Sequence, residues 1–234
     1  MRYMGSKGRI AKYILPVILK DRKLDQWFVE PFCGGCNITD KVTGPRIAAD
    51  AMPEVIAMFK AMQQGWLPPK YVTEEDYIRA KNGKNLVLRG YIGFGFSFGG
   101  KFFASQARHE RIKGSYASLT KMNKRVYASF IKQIPLLTDV TFLQADYKNL
   151  RIPLKSLVYC DPPYASVEGY KDKSNFNHNE FYDWCRLQKA SGHQIFISEY
   201  HMPKDFKCIF QKSHKVHLNA NFSSLDRTEK LFTL

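Results

Sequence analysis

Short apolar runs that end abruptly in an acid recur along this chain and set its layout. Trp27-Phe28-Val29 runs into Glu30, Arg46-Ile47-Ala48-Ala49 into Asp50, and Leu157-Val158-Tyr159-Cys160 into Asp161; Val140-Thr141-Phe142-Leu143 is followed by Gln144-Ala145-Asp146. Runs of this length without polar alternation suit strands buried on both faces, as in a parallel sheet. Gln194-Ile195-Phe196-Ile197-Ser198 predicts a fifth strand, and residues 208–211, 215–219 and 229–234 predict short strands that complete the sheet. The helical pattern falls between them: an amphipathic segment over 9–20, a helix starting near Asn37 after a Gly-rich turn, and one over 180–190 with Gly192 as its stop. The polar stretch through Asn175-Phe176-Asn177-His178 predicts a loop beside the strand ends. The sum is an α/β sheet of the nucleotide-binding kind.

Residues 58–135 break this rhythm. Helical periodicity is patchy, Trp66-Leu67-Pro68-Pro69 interrupts the chain, and the stretch from Tyr91 to Phe103 alternates glycine with aromatics. Charge sharpens the contrast. The 234 residues carry a formal net charge of +15, and from Arg79 to Lys132 twelve Lys or Arg face one acid, Glu110. So one-sided a cluster repels itself unless an anion neutralises it, which points to a polyanionic partner. Stacking faces, flexible backbone and cations together suit nucleic acid, with Lys101, Arg108, Arg111, Lys113, Lys121, Lys124 and Arg125 as candidate contacts. A second reading stays open, in which Phe94, Phe96 and Phe98 form a small core and the cations a solvated face.

The candidate chemistry sits at strand ends, where open α/β sheets hold their ligands. Pro162 and Pro163 cannot continue a ladder, so Asp161 and Tyr164 are presented on a stiff support. Gly34 and Gly35 permit a sharp turn and let an adenosine-type ligand approach without meeting a Cβ. Asp50 is placed either to accept the hydroxyls of a ribose or to cap the helix beginning at Pro53. The opening Tyr3-Met4-Gly5-Ser6-Lys7-Gly8 is a small-residue loop with one aromatic and one cation, lacking the Walker spacing. Cys33 and Cys36 match a redox spacing but have no second pair for zinc, and the six histidines show no metal-binding spacing, so no metal is expected. Five cysteines, an odd number, without a secretory segment or a membrane-length apolar run predict a cytoplasmic protein with free thiols.

Taken in order, Tyr3-Met4-Gly5-Ser6-Lys7, Glu30-Pro31-Phe32-Cys33-Gly34-Gly35, Asp50, Asp146-Tyr147 and Asp161-Pro162-Pro163-Tyr164 resemble the alpha group of DNA adenine-N6 methyltransferases, closest to compact phage and prophage forms. The likeness spans nearly the whole chain, including the late Ile197-Ser198-Glu199-Tyr200 and Arg227-Thr228-Glu229-Lys230-Leu231-Phe232. The resemblance implies the S-adenosylmethionine-dependent methyltransferase fold, a Rossmann-like mixed seven-stranded sheet. Residues 1–57 and 136–234 would form the catalytic domain and 58–135 an inserted DNA-recognition region. It implies S-adenosylmethionine held by Tyr3, Lys7, Glu30, Pro31, Phe32, Gly34, Gly35, Asp50, Asp146, Tyr147 and Asp161, with Asp161, Pro162 and Tyr164 catalytic. Double-stranded DNA is the implied partner of a monomer in a bacterial or phage-infected cell, with adenine N6 as the target. Cytosine N4 and a catalytically degenerate DNA-binding module are the alternatives. Two departures from the best-known bacterial members stand out: Tyr3 replaces a common tryptophan, and cysteines occupy a loop usually built of small or apolar residues.

Overall fold

The computed structural model describes residues 1–106, 116–164, 176–217 and 224–234. Seven strands form one sheet: β1 Phe28–Glu30, β2 Arg46–Asp50, β3 Thr141–Gln144, β4 Leu157–Cys160, β5 Gln194–Glu199, β6 Lys207–His217 and β7 Ser224–Thr233. Their order is β3-β2-β1-β4-β5-β7-β6. The first five are parallel; β7 runs antiparallel to both β5 and β6. This is a Rossmann-like mixed seven-stranded sheet, the architecture that the sequence resemblance implies. Strand order reverses between β1 and β4, so a crevice opens there at the carboxyl ends.

The pleat explains the continuous apolar runs. Phe28, Leu157 and Tyr159 pack with helix α1 (Ala11–Ile18). Val29, Val158 and Cys160, their neighbours one position along, pack with α6 (His178–Ala190) on the opposite face. A third cluster joins Ala48 and Phe142 of the sheet to α2 (Pro53–Gln63), α4 (Leu86–Gly95) and α5 (Tyr116–Gln133). Phe59 of α2 stacks on Phe142 of β3 with centroids 5.1 Å apart. Helix α3 (Glu74–Asn82) begins with a capping box, Thr73 and Asp76 each accepting from the other's backbone. The described part of residues 58–135 is largely helical, and its apolar core is continuous with one face of the sheet.

The local differences from expectation have physical causes. No α-helix starts near Asn37; the chain makes only a short 3-10 turn at Thr39–Lys41. Cys36 takes a positive φ of 52°, and Asn37 spends its side chain on the Met1 amine and carbonyl. The carboxylate of Glu30 meanwhile captures the Thr39 N–H and hydroxyl. Asn177 is no loop residue: it caps α6, accepting from the Glu180 N–H at 3.2 Å. The short strands expected in the tail merge into one long hairpin, β6–β7. Among the described residues no helix is long and apolar enough to cross a membrane.

Candidate active site

Strand β4 ends one residue before Asp161, at the strand-order switch, and the two prolines carry the chain away from the sheet. Asp161 Oδ1 lies 3.1 Å from the Lys7 ammonium, and the two side chains are only 19% and 7% exposed. Lys7 Nζ also donates to the Gly5 carbonyl at 3.1 Å, sits 3.7 Å from Glu229 Oε2, and stands 4.4 Å from the centre of the Tyr164 ring. The Tyr164 hydroxyl donates to Glu229 Oε2 at 3.1 Å, and its ring meets Tyr200 edge-on at 4.7 Å. Pro162 is buried behind this group. Burial raises the Asp161 carboxyl above the usual carboxylate range, against the pull of Lys7. Burial alone would lower the Lys7 ammonium, but Asp161 and Glu229 outweigh it and hold its pKa above the ordinary lysine value.

The Gly-rich turn after β1 is filled from within the chain. Gly34 takes a positive φ of 43°, and a Cβ built on it would meet the Tyr3 ring at 2.6 Å; one on Gly35 would meet the Tyr3 Cβ at 2.8 Å. The space expected to admit a ligand to these two backbones thus admits Tyr3. Its ring also rests on Phe94 of α4 at 4.8 Å. From the other side the Gly100 carbonyl accepts the Met4 N–H at 3.2 Å, close enough that a Cβ on Gly100 would meet the Tyr3 backbone at 2.9 Å. Burial, then Asp50, Cys33 and Asp161, raise the Tyr3 hydroxyl pKa, so this phenol lies within electrostatic reach of both strand-end acids.

Asp50 organises the loop after β2. Its oxygens accept the Gly34 N–H and the Met52 N–H, each at 2.9 Å. It does not cap the interior of α2, since Met52 precedes that helix. Glu30, buried, accepts from Thr39, and burial, with Asp161 adding to it, pushes its pKa up to about 8. Pro31 is buried beside it. Phe32 joins an aromatic wall with Tyr147, Phe176 and Phe181, at centroid distances of 5.2, 5.9 and 5.7 Å. Tyr147 is pushed up to about 12, chiefly by burial, and Asp146 caps its short turn by accepting from the Lys148 N–H. The predicted residues thus form two groups: Tyr3, Lys7, Gly34, Asp50, Asp161 and Tyr164 around the crevice, and Phe32, Asp146 and Tyr147 beside the wall.

Of the cations, Lys101, Lys121, Lys124 and Arg125 are exposed, the last three along one face of α5. Arg108, Arg111 and Lys113 lie outside the described residues. Arg2 joins the group unforeseen, its pKa lowered by burial and by the neighbouring Arg125. The aromatic stretch divides. Phe94 and Phe96 are buried at 3% and 1% exposure, whereas Phe98 is 72% exposed. Glu229 and Tyr200 also enter the site; the late stretches that hold them belong to the sequence resemblance, but neither residue is among the site candidates.

Residues 3–84 match the family model for D12 class N6 adenine-specific DNA methyltransferases. The matched stretch covers the Tyr3–Lys7 loop, the Gly-rich turn and Asp50. The Type II methyltransferase M.FokI of Planomicrobium okeanokoites is 24% identical over 214 residues, 81% of this chain. The chain spans 32% of the length of that relative. The crystal structure of SMU.472, a putative methyltransferase complexed with SAH, superposes over 97% of this chain and 52% of its own, at 14% identity and a TM-score of 0.40.

Proposed function

We propose that the chain is a site-specific DNA methyltransferase that places a methyl group on the exocyclic N6 amine of an everted adenine in double-stranded DNA. The observation that supports this most directly is the Asp161 corner: a carboxylate on a proline-stiffened turn at the sheet's switch point, beside an aromatic ring and a buried ammonium. The D12 class match over residues 3–84 supplies the base and the atom.

S-adenosylmethionine fits the donor set of the crevice, because Asp50 and Asp161 offer a sulfonium more negative charge than Lys7 cancels, and the Tyr3 and Tyr164 rings add faces that favour a cation. Bound there, it supplies an electrophilic methyl: the N6 lone pair forms the new N–C bond while the C–S pair returns to sulfur. Tyr3, Lys7 and Asp50 would hold it, Gly34 and Gly35 shaping the turn that seats Tyr3, with Pro31, Phe32, Asp146 and Tyr147 on the aromatic side and Glu30 bracing the turn through Thr39.

An adenine amine is a poor nucleophile because its lone pair is delocalised into the ring. Asp161 and the Pro162 carbonyl accept its two hydrogens and leave the lone pair localised, a preorganised arrangement that the proline corner holds without reorganisation. The proton shed after transfer leaves through Asp161 to solvent. Tyr164 stacks on the base, whose extrusion costs a few kcal/mol. Residues 58–135 act as the recognition region, with Lys101, Lys121, Lys124 and Arg125 on the phosphates.

The test is to express the protein in a methylation-free host and map modified bases across the genome. Modified adenines in one sequence context are expected, and Asp161→Ala should abolish them while the purified variant keeps its circular dichroism. Unmodified DNA with the wild-type protein, or modification surviving in Asp161→Ala, would defeat the assignment.

A further inference from the structure

The Lys7 ammonium is shared between two carboxylates, and the second of them has a further bond. Glu229 Oε2 stands 3.7 Å from Lys7 Nζ, against 3.1 Å for Asp161 Oδ1, and the same oxygen accepts the Tyr164 hydroxyl at 3.1 Å. Glu229 sits in β7, opposite Lys212 of β6, so it is carried by a paired strand and not by a loop. We infer that Glu229 is a positioning residue: it anchors the Tyr164 ring and is the second station for the Lys7 ammonium, which frees Asp161 to accept the amine hydrogen. This rests on the proposed roles of Asp161 and Tyr164.

The ammonium and the adenine amine draw on the same carboxylate. While the ammonium is bound at Asp161 Oδ1 it draws electron density from the carboxylate that must grip the amine. A lysine head on a flexible stem can shift to the other carboxylate with little side-chain movement, and Glu229 waits at the right distance to receive it. Tyr164 gains from the same oxygen. With its hydroxyl tied to Glu229 and its edge against Tyr200, the ring is held in place before a base arrives.

Glu229→Gln separates the two duties, because the amide still accepts from Tyr164 but no longer attracts the ammonium. In steady-state assays on duplex DNA, kcat should fall about tenfold, with KM for DNA and for S-adenosylmethionine changed less than about twofold. The acidic limb of the kcat–pH profile should move to lower pH. Asp161 is faced by Lys7 and Tyr3 from the amino-terminal loop, by Glu30 from β1, by Tyr159 from β4, by Tyr164 from its own turn and by Glu229 from β7; Glu199 of β5 faces Tyr164. Of these, removing the Glu229 charge withdraws a group that raises the Asp161 pKa. In a double-mutant cycle, Tyr164→Phe should slow the wild type yet cost nothing further in Glu229→Ala. Rates are referred to the folded fraction measured by circular dichroism. An unchanged kcat and acidic limb in Glu229→Gln, or additive effects in the cycle, would overturn the inference. Absence of methyl transfer by the wild type would instead remove the functional reading beneath it.

Discussion

Lys7 Nζ lies 3.1 Å from Asp161 Oδ1, tying the amino-terminal loop to the end of the fourth strand. Both groups are largely withdrawn from water, so removing one strands the other in a poorly solvated place. Lys7→Met leaves a buried carboxylate behind and should cost about 3 kcal/mol in urea unfolding at pH 7. The deficit should shrink toward acid pH as Asp161 takes up a proton, and methyl transfer should be lost at neutral pH.

Glu30 governs a different pH response. Its folded-state pKa is pushed up to about 8 by burial, from an ordinary 4.5. An acid whose pKa rises on folding stabilises the fold fully below its unfolded value and loses that contribution as pH climbs through its folded value. Between about pH 5 and 8 the slope attributable to this group approaches 1.4 kcal/mol per pH unit. Glu30→Gln should flatten the stability profile over that window, and urea titrations at pH 5, 6.5 and 8 would check it.

Gly34→Ala combines an unfavourable positive φ with a collision against the Tyr3 ring. It should destabilise the protein by about 2 kcal/mol and weaken S-adenosylmethionine binding in calorimetry. Tyr3→Ala in the same chain removes the collision but not the backbone strain, so it should restore about half of that stability. Full restoration would mean that the positive φ costs nothing here.

The strands are legible in the sequence because both faces of β1, β2 and β4 are buried, which leaves an unbroken apolar run, and because Pro162 and Pro163 mark the stop. The stretch from Tyr91 to Phe103 misleads, for a reason the packing makes plain. Its glycines read as flexible backbone, yet Gly93 and Gly95 lie in α4, packed so closely that a Cβ would meet the Phe102 ring at 2.5 Å or the Val126 side chain at 2.7 Å. Phe94 and Phe96 pack while Phe98 does not, a division that alternation with glycine cannot express. The β6–β7 hairpin reads as fragments because Lys212-Ser213-His214 is polar on both sides of the pleat. Glu229 falls in a stretch that the resemblance covers, yet its place in the site is not legible there, since its partners Lys7 and Tyr164 come from distant parts of the chain.

The exposed face of α5 gives a salt-dependent prediction. Replacing Lys121, Lys124 and Arg125 together by Gln should lower the slope of log K against log salt for duplex binding by about 0.9 for each phosphate that is no longer neutralised. Anisotropy titrations across several salt concentrations would measure it. An unchanged slope would return these cations to a solvated face.

Tyr3 is gripped on one side by the Gly34–Gly35 turn and on the other by Gly100, which belongs to the stretch placed on the nucleic acid. Gly34 meets its ring and Gly100 its backbone, so neither loop can shift without moving this residue. If a methyl donor and DNA bind at these two ends as proposed, occupancy at one is felt at the other, and, coupling being reciprocal, each alters the affinity for its companion by the same factor.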